Sequence, residues 1–449
     1  MDAVKVDFSN VIGKINPVHA VGQPPFLGGF CKFDFSPMAY LPKGNIPYSR
    51  LHDVGGPFGG NRFVDIPNIF RDFDADVNDP ASYDFVFTDL LLGAMHEHGI
   101  KPIFRLGVTI ENQANFKAYR IHPPKDMKKW AQICEHIVRH YNEGWAEGFH
   151  YGIEYGEIWN EPDNGMGKEN QMWTGTPEQY YQMYDITAKH LRACFGDSIK
   201  IGGYGATSFG GIRYDPEKYG LDIPPKKKTD RYETSMYRLD FFFGFWEYIK
   251  AHNTPLDFFS WHSYTDIDST CLMEGFLRRV MKQYGYENAE SHINEWNNAH
   301  EKRLVGSSYA AAAAAAMILT MQNAGTDLMC YYDARIHASS YCGLFDPMTG
   351  KPTATYYVLA AYGELYALGD QTACQVSDPA IRAVAAAKGE RRALMLANFS
   401  EEEKNITLDI PDGFDLYLVD RDHHMTACGA VPSALKLCAN QVALLKNYK

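Results

Sequence analysis

Apolar residues recur along the chain in two alternating patterns. Short runs rich in β-branched, aromatic and glycine residues are typical of buried strands, and most are followed by longer stretches with apolar positions at spacings of three and four, as on one face of a helix. The eight strand-like runs cover residues 26–33, 48–53, 101–108, 155–162, 200–207, 258–264, 291–297 and 328–335. The helical stretches cover residues 84–98, 125–142, 177–195, 235–252, 271–284 and 307–323. This alternation predicts the α/β class and a (β/α)8 TIM barrel.

The connections between these elements are unequal in length. The links from helix to strand are short, as at residues 98–101, 195–200 and 323–328. The links from strand to helix are long, as at residues 54–83, 109–124 and 208–234. In a barrel the strand-to-helix loops lie at the C-terminal face, where active sites are built. The long loops therefore predict walls around a pocket at that face.

After residue 368 the pattern changes to short alternating strands separated by turn residues. They cover residues 380–387, 391–399, 404–410, 414–419 and 442–446, and they predict a small C-terminal β-sandwich accessory domain. The strand-like residues 4–8 are expected to pair with that domain. The predicted organisation is an N-terminal strand in residues 1–15 that joins the sandwich, a barrel in residues 16–368 and the β-sandwich in residues 369–449.

Composition narrows the class of partner. The 43 Lys and Arg residues against 55 Asp and Glu residues give a formal charge of −12, which opposes binding to nucleic acid and to anionic membranes. The nine cysteines are scattered and include no C-x-x-C pair, so they indicate neither a disulfide framework nor a zinc knuckle. The first residues show no basic segment followed by an apolar one, so we expect no secretory leader there. We therefore expect a cytoplasmic protein without nucleic-acid or membrane partners, although a signal peptide already removed would leave the same sequence.

Two glutamates fall at the ends of predicted strands. Glu161 lies in the run GEIWNEP at 156–162, where the proline ends strand pairing just after the carboxyl. Glu295 lies in the run HINEWN at 292–297, at the end of the seventh strand. A single glutamate at a strand end is more often a salt-bridge partner or a loop cap. Two carboxyls on one barrel rim can instead face each other across a substrate, as glycoside hydrolysis requires.

These motifs resemble clan A of the retaining glycoside hydrolases, whose acid/base and nucleophile glutamates lie at the ends of strands four and seven. Within the clan, the runs YSRLHD at 48–53, SWHSY at 260–264 and NEWN at 294–297 are similar to glycoside hydrolase family 39, the family of β-xylosidases and α-L-iduronidases. The likeness covers nearly the whole barrel and extends to the β-sandwich. It implies Glu161 as acid/base, Glu295 as nucleophile, and double displacement without a metal or an organic cofactor.

The resemblance also implies roles for residues around the two glutamates. Arg50, His262 and Tyr264 would hold the nucleophile ionised and oriented, because hydrogen bonds from such groups favour the charged carboxylate. Asn160 and His52 would bind sugar hydroxyls, and an amide beside the acid suits the sugar 2-hydroxyl. A packed core histidine is the alternative interpretation of His262.

Aromatic residues at the predicted mouth are natural platforms for the apolar faces of sugar rings. The candidates are Trp159, Trp173, Trp261, Trp296, and one of the pair Tyr331 and Tyr332, of which Tyr332 is placed in the candidate site. The eighth strand, CYYDARIH at 330–337, departs from the tryptophan-rich end expected of the family's β-xylosidases. Two interpretations of Asp333 and Arg335 in this strand are open. They would recognise a different sugar or a second sugar unit, or they would form an ion pair with each other.

The expected activity is β-xylosidase-like, with exo cleavage of plant-type oligosaccharides or glycosides, because long loops could close a pocket around a small carbohydrate substrate. Arabinoside, galactoside or glucoside specificity and endo action are alternatives within the same fold. Two other classes stay open. His52, Asp53, His262 and His292 near strand ends would suit a metal-dependent barrel hydrolase, and a non-catalytic carbohydrate-binding barrel would share the same fold. Members of the family often associate, so the resemblance allows a homo-oligomer.

Overall fold

The computed structural model describes residues 2–24, 27–28, 33–34, 45–51, 64–109, 121–336 and 341–449. Its strands are β1 (Asp2–Lys14), β2 (Ala20–Gly22), β3 (Leu27–Gly28), β4 (Phe33–Asp34), β5 (Tyr48–Arg50), β6 (Lys101–Leu106), β7 (Tyr155–Ile158), β8 (Lys200–Ala206), β9 (Phe258–Ser263), β10 (Glu290–Trp296), β11 (Leu328–Tyr331), β12 (Asp370–Val376), β13 (Ile381–Lys388), β14 (Arg391–Asn398), β15 (Lys404–Asp409), β16 (Asp415–Val419), β17 (His424–Ala430), β18 (Ala434–Leu437) and β19 (Gln441–Lys446). Its helices are α1 (Ile66–Ile69), α2 (Val86–Glu97), α3 (Met127–Asn142), α4 (Pro177–Phe195), α5 (Tyr232–His252), α6 (Ile267–Tyr284), α7 (Ser308–Ala324) and α8 (Ala354–Leu368).

Eight parallel strands close into a barrel. Their order around the ring is β2, β5, β6, β7, β8, β9, β10 and β11, and β11 returns to β2. Helices follow each strand from β5 onward and cover the outer face of the barrel, while side chains fill its interior, so strands such as β9 are buried along their whole length. The predicted (β/α)8 TIM barrel is confirmed.

The first barrel strand was predicted in the wrong place. The strand is β2, three residues long, between β11 and β5, and not residues 26–33. Of the predicted segment, β3 and the first residue of β4 form part of a small antiparallel ladder, and residues 26 and 29–32 lie outside the described residues. The apolar run of β2 is too short to stand out, and the more aromatic segment after it has the stronger strand propensity.

The helices begin and end at residues suited to those positions. Asp126 accepts hydrogen bonds from two backbone N–H groups at the start of α3. Thr176 and Gln179 form a capping box at the start of α4, and Gly196 follows its last residue. The alanine run at 310–316 lies inside α7 and is fully buried, as expected of a closely packed helix and not of a linker.

The C-terminal region is a nine-stranded sheet in the order β17, β16, β19, β14, β13, β12, β1, β15 and β18. The N-terminal strand β1 lies within it, antiparallel to β12 and parallel to β15. Apolar side chains from strands across the sheet, such as Val4, Leu396 and Leu435, form one core cluster, so the sheet curves over itself as a β-sandwich. Helices α7 and α8 pack against β13 and β14 and join the sandwich to the barrel.

Within the described parts of the chain, no helix has the length and apolar character needed to cross a membrane. Eight cysteines lie in those parts, and all eight are free thiols.

Candidate active site

The candidate site lies at the C-terminal ends of four barrel strands. Arg50 is the last residue of β5, and Glu157 lies in β7. His262 and Glu295 each lie one position before the last residue of their strands, β9 and β10. All four side chains are buried. Because the strands are parallel, these residues meet at the barrel end that carries the active sites of TIM-barrel enzymes.

Glu161 reaches the site through a sharp turn of the backbone. β7 ends at Ile158, and Trp159 and Glu161 both have positive φ angles, 73° and 45°. Such angles cost non-glycine residues about 1–3 kcal/mol and persist only where the surroundings hold them. Here the backbone N–H of Glu161 donates to the carbonyl oxygens of Tyr204 and Gly205, at 3.1 Å each. The sequence predicted a strand through residue 162, whereas the structure has a turn that presents the Glu161 carboxyl.

Arg50 is the central cation of the site, and it is fully buried. Its Nε donates to Glu157 Oε2 at 2.6 Å, and its Nη1 donates to Glu295 Oε1 at 2.7 Å. Its Nη2 donates to Asn160 Oδ1 at 2.6 Å. Burial alone lowers the pKa of Arg50, but the charges of Glu157 and Glu295 outweigh burial and raise the pKa. The guanidinium therefore stays charged and fixes the positions of three side chains.

Glu157 is a site residue that the sequence analysis missed. It also accepts hydrogen bonds from Ser260 Oγ, at 2.7 Å, and from Asn294 Nδ2. Burial alone raises the pKa of Glu157, but Arg50 and these hydrogen bonds lower it overall, so the carboxylate is ionised. The available signal was a charged residue inside an otherwise apolar strand, with polar residues Ser260 and Asn294 on two other strands of the barrel.

Glu295 is surrounded by hydrogen-bond donors. Arg50 donates to Oε1, the Tyr264 hydroxyl donates to Oε2 at 2.8 Å, and His262 Nδ1 lies 3.5 Å from Oε2. Burial and the charge of Glu295 raise the pKa of Tyr264, which keeps the phenol protonated as a donor. These contacts favour the ionised form of the Glu295 carboxyl.

His262 bridges the two glutamates. Its Nδ1 lies 2.7 Å from Glu161 Oε1, and Asn164 Nδ2 donates to Glu161 Oε2 at 2.6 Å. Burial alone lowers the pKa of His262, but the charge of Glu295 and the contact with Glu161 raise it overall. One oxygen of Glu161, one oxygen of Glu295 and a nitrogen of His262 all lie within 4.8 Å of one another. The ring is buried, but it contacts both carboxyls instead of packing only against apolar side chains.

Asn160 and Gly205 complete the inner wall. The Asn160 carbonyl oxygen accepts from Arg50, and its Nδ2 is buried with no hydrogen-bond partner among the described residues. Gly205 has a φ of +64°, and a Cβ at this position would lie 2.9 Å from Asn160 Oδ1 and 3.2 Å from Arg50 Nη2. Only glycine leaves room there for these two side chains.

Gly205→Ala should therefore lower kcat by about 100-fold, because displaced Asn160 and Arg50 side chains misplace the carboxyls they hold. Gly220→Ala is the matched control, since Gly220 has the same φ of +64° but open space around its Cβ position. Steady-state kinetics and melting temperatures of both variants separate backbone strain, which is common to the two, from crowding. Wild-type kcat in Gly205→Ala would contradict this account of the inner wall.

The tryptophans predicted as sugar platforms are core residues. Trp159, Trp173, Trp261 and Trp296 are all completely or almost completely buried. Trp296 lies in the apolar core cluster and packs on Tyr331 with ring centroids 5.0 Å apart. Substrate binding by Trp296 stays a prediction, and its ring is completely buried in this structure.

Tyr332 is the member of the tyrosine pair that lies beside the site. Its hydroxyl accepts a hydrogen bond from Gln23 Nε2 at 2.9 Å, and its ring meets Tyr264 edge to face at 6.0 Å. The half-buried Tyr341, which the sequence analysis missed, stacks on Tyr264 at 5.0 Å and meets Tyr332 at 5.4 Å. Burial and then the charges of Glu295 and Glu161 raise the pKa of Tyr341.

Asp333 and Arg335 contact each other. Arg335 Nη2 and Nε donate to Asp333 Oδ2 at 2.9 and 3.3 Å, which is the ion pair considered from the sequence. The carboxylate is buried and the guanidinium is partly exposed, with its carbon 5.9 Å from the centroid of the Tyr332 ring. Arg335 therefore borders the aromatic cluster of Tyr264, Tyr332 and Tyr341.

Of the residues that suggested a metal-dependent hydrolase, the two that the structure describes, His262 and His292, do not come together. His292 lies near the opposite end of the barrel, where its Nε2 is 2.8 Å from Glu290 and its ring stacks on Phe258. His52 and Asp53 lie outside the described residues. At the site itself, the atoms close enough to share a cation belong to Glu161, His262 and Glu295.

Comparisons with known proteins agree with this geometry. The model of a family described as "Glycosyl hydrolases family 39" matches residues 60–332, more than half of the chain. A β-xylosidase from Caldicellulosiruptor saccharolyticus is 26% identical over 128 residues, which are 27% of this chain and 25% of that protein. A β-xylosidase from Geobacillus stearothermophilus is 24% identical over 156 residues, 32% of this chain and 29% of that protein. These matches thus span less than a third of the relatives' lengths.

Solved structures share the fold over the whole chain. A glucosidase from Croceicoccus marinus superposes with a TM-score of 0.75 at 20% identity, covering 99% of this chain and 98% of that one. A GH39 β-xylosidase from Caulobacter crescentus superposes with a TM-score of 0.66 at 16% identity, covering 99% of both chains. These likenesses show a common architecture of barrel and β-sandwich.

Proposed function

This chain belongs to glycosyl hydrolase family 39 and is a glycoside hydrolase, and from that premise we propose a retaining enzyme with Glu295 as nucleophile and Glu161 as general acid/base. The observation that carries the proposal is the pair of Glu161 and Glu295 oxygens within 4.8 Å of each other, with His262 in contact with both. Retaining glycosidases hold their carboxyls about 5–5.5 Å apart, and inverting ones hold them about 6.5–9.5 Å apart to admit a water. The short separation favours direct attack by a carboxylate.

In the first step, Glu295 attacks the anomeric carbon while Glu161 gives its proton to the leaving oxygen. A carbon–oxygen bond to Glu295 forms as the glycosidic bond breaks, and the alcohol departs neutral. The contacts of Glu295 with Arg50 and Tyr264 keep it ionised for the attack. Its charge disappears in the ester, and Arg50 then keeps Glu157 as its ionic partner.

In the second step, Glu161 takes a proton from water, and the oxygen of that water replaces Glu295 on the anomeric carbon. Two inversions at this carbon give net retention. Once Glu295 is an ester, its negative charge no longer faces Glu161, which acts as the general base of this step. His262, with its raised pKa, is placed to stabilise the ionised Glu161 through the 2.7 Å contact.

Asn160 is proposed to bind the sugar hydroxyl next to the anomeric carbon. Its carbonyl is held by Arg50, so the orientation of the amide is fixed and its N–H donors are left for another acceptor. A buried N–H without a partner costs about 1–3 kcal/mol. A hydrogen bond to the 2-hydroxyl, strengthening in the oxocarbenium-like transition state, would offset that cost.

We propose a β-linked pentoside as the substrate, in line with the two β-xylosidases among the relatives. The aromatic cluster of Tyr264, Tyr332 and Tyr341 offers ring faces for a sugar beside the carboxyls, and Arg335 borders it. We propose cleavage from chain ends, with the terminal sugar held against this cluster.

A screen of nitrophenyl glycosides (xylo, arabino, gluco, galacto and fuco) tests the proposal, with proton NMR of the first sugar anomer released. We expect the β-xyloside to have the highest kcat/KM and β-xylose to appear before mutarotation. First release of α-xylose would exclude the retaining mechanism. Turnover that stops with excess EDTA would favour a metal-dependent hydrolase, and binding without turnover on any glycoside would favour a carbohydrate-binding barrel.

A further inference from the structure

A second group of potential ligand atoms lies far from the barrel interior, between α3 and α4. Glu135 on α3 and His190 and Cys194 on α4 bring a carboxylate oxygen, an imidazole nitrogen and a thiol sulfur within 4.8 Å of one another. His190 Nε2 lies 2.6 Å from Glu135 Oε2 and 3.8 Å from Cys194 Sγ. The side chains of His190 and Glu135 are 30% and 14% exposed, so an ion from solvent can reach them.

The spacing of these atoms suits a small tetrahedral cation. His190 and Cys194 are four residues apart, so they lie one above the other on the same face of α4. With Zn–S of about 2.3 Å and Zn–N of about 2.0 Å, a tetrahedral ion holds its sulfur and nitrogen ligands roughly 3.5 Å apart, close to the 3.8 Å observed. The contact between His190 and Glu135 would lengthen to roughly 3.3 Å when the ion replaces the proton between them.

The neighbours of the group orient its carboxylate. Arg139 Nε donates to Glu135 Oε1 at 2.7 Å, which leaves Oε2 turned toward His190 and Cys194. Such a hydrogen bond to the non-ligating oxygen is typical of the groups that position metal ligands.

We propose that Glu135, His190 and Cys194 form a zinc-binding site whose fourth position is open to water. The combination of thiolate, imidazole and carboxylate matches the borderline softness of Zn²⁺. Binding releases the thiol proton of Cys194 to solvent, the proton of His190 Nε2 leaves that nitrogen so that Nδ1 carries the ring proton of a neutral imidazole, and no electron is transferred. No other ion is needed for the exchange.

The site would join two neighbouring helices of the outer ring. α3 and α4 are the helices before and after β7 in the chain, and the turn that carries Glu161 follows β7. All three ligands lie outside the group of residues that hold Glu161 and Glu295. The expected consequence of zinc is therefore a higher melting temperature with unchanged chemistry at the active site.

Cobalt(II) in place of zinc provides the test, because a thiolate bound to Co²⁺ gives an intense charge-transfer absorption in the near ultraviolet. The full-length protein, first treated with a chelator and a reductant that are then removed, is titrated with Co²⁺. We expect this absorption to saturate at one ion per chain and to disappear when Zn²⁺ is added. A cation held by Glu161, His262 and Glu295 would give no such band, because that group contains no sulfur.

Cys194→Ser should remove the absorption and the rise in melting temperature with zinc, while activity on a nitrophenyl glycoside stays at the wild-type level. Cys271→Ser is the matched control, since Cys271 is also a partly buried free thiol on a barrel helix but lies next to Met321. It should keep both responses to metal. Absence of the band in the wild-type protein, or its persistence in Cys194→Ser, would overturn the proposal, and so would an equal thermal shift with zinc in both variants.

Discussion

Replacing Glu295 by alanine should lower kcat on an activated aryl glycoside by about five orders of magnitude, the scale of loss seen when a catalytic nucleophile is removed. The reason is geometric as well as chemical. Glu295 is the carboxylate that Arg50, Tyr264 and His262 hold together, and alanine leaves nothing there to form the covalent ester. Azide should restore part of the activity by entering the space left by the carboxylate, and the product should be the glycosyl azide of inverted configuration. Product analysis by NMR reads the configuration directly.

Glu157→Gln is the control for that experiment. Glu157 shares Arg50 with Glu295, so its replacement also removes a carboxylate from the site and also reduces activity. Azide should not restore the Glu157→Gln variant, because Glu295 still occupies the position of attack. A Glu295→Ala enzyme with a near wild-type rate would contradict the assignment of Glu295 as nucleophile. Azide rescue of Glu157→Gln would indicate that Glu157 is the nucleophile instead.

The pairing of the two glutamates could be predicted because the chemistry fixes where they must be. Glu161 and Glu295 lie at the rim ends of β7 and β10, and any barrel that brings those strand ends together brings the carboxyls together. The ion pair of Asp333 with Arg335 was also foreseen as one of two alternatives, because opposite charges two residues apart at a strand end are close in most backbone conformations.

Three features of the site were not foreseen, each for a different reason. The burial of Trp296 in the core does not follow from simple alternation, because Asn294 and Glu295 before it both contact inward-facing side chains. Glu157 was overlooked because it lies four residues before Glu161, whose Asn-Glu-Pro motif is easier to recognise. Tyr341 and Gln23 could not be foreseen at all, since loop and chain paths beyond the strand ends decide which distant side chains meet Tyr264 and Tyr332. Tertiary contacts of this kind leave no local pattern in the amino-acid sequence.

The charges of the site are balanced at both stages of the proposed reaction. In the proposed first step, Glu295 attacks as a carboxylate and Glu161 acts as the proton donor, while Arg50 faces both Glu157 and Glu295 and the raised pKa of His262 favours its cationic ring. After attack, Glu295 is a neutral ester, and Glu161 has lost its proton to the leaving group. One carboxylate has replaced another beside the same two cations. The buried site therefore never holds an uncompensated charge, which would be costly in a low-dielectric interior.

The loss of kcat/KM caused by Glu161→Ala should therefore depend on the leaving group of the substrate. For alkyl glycosides or oligosaccharides, whose leaving oxygen needs a proton, kcat/KM should fall by about 10³-fold, within the range for loss of a general acid. For a dinitrophenyl glycoside, whose leaving group departs as a stable anion, kcat/KM should change by less than about tenfold, because this parameter reports the first step alone. Asn164→Ala is the control: it removes the donor to Glu161 Oε2 but leaves the acid in place, so both substrate classes should lose a similar, smaller factor.

Azide distinguishes the two glutamates in a second way. In Glu161→Ala the nucleophile is intact, so azide attacks the ester formed by Glu295 and yields a glycosyl azide of retained configuration. The product from Glu295→Ala has the opposite configuration, because azide there attacks the substrate itself. Equal losses of kcat/KM on both substrate classes, or an inverted azide from Glu161→Ala, would count against Glu161 as the acid/base. Two variants and one added anion thus assign each carboxyl to its step, since only the residue that forms the ester can reverse the stereochemistry when it is removed.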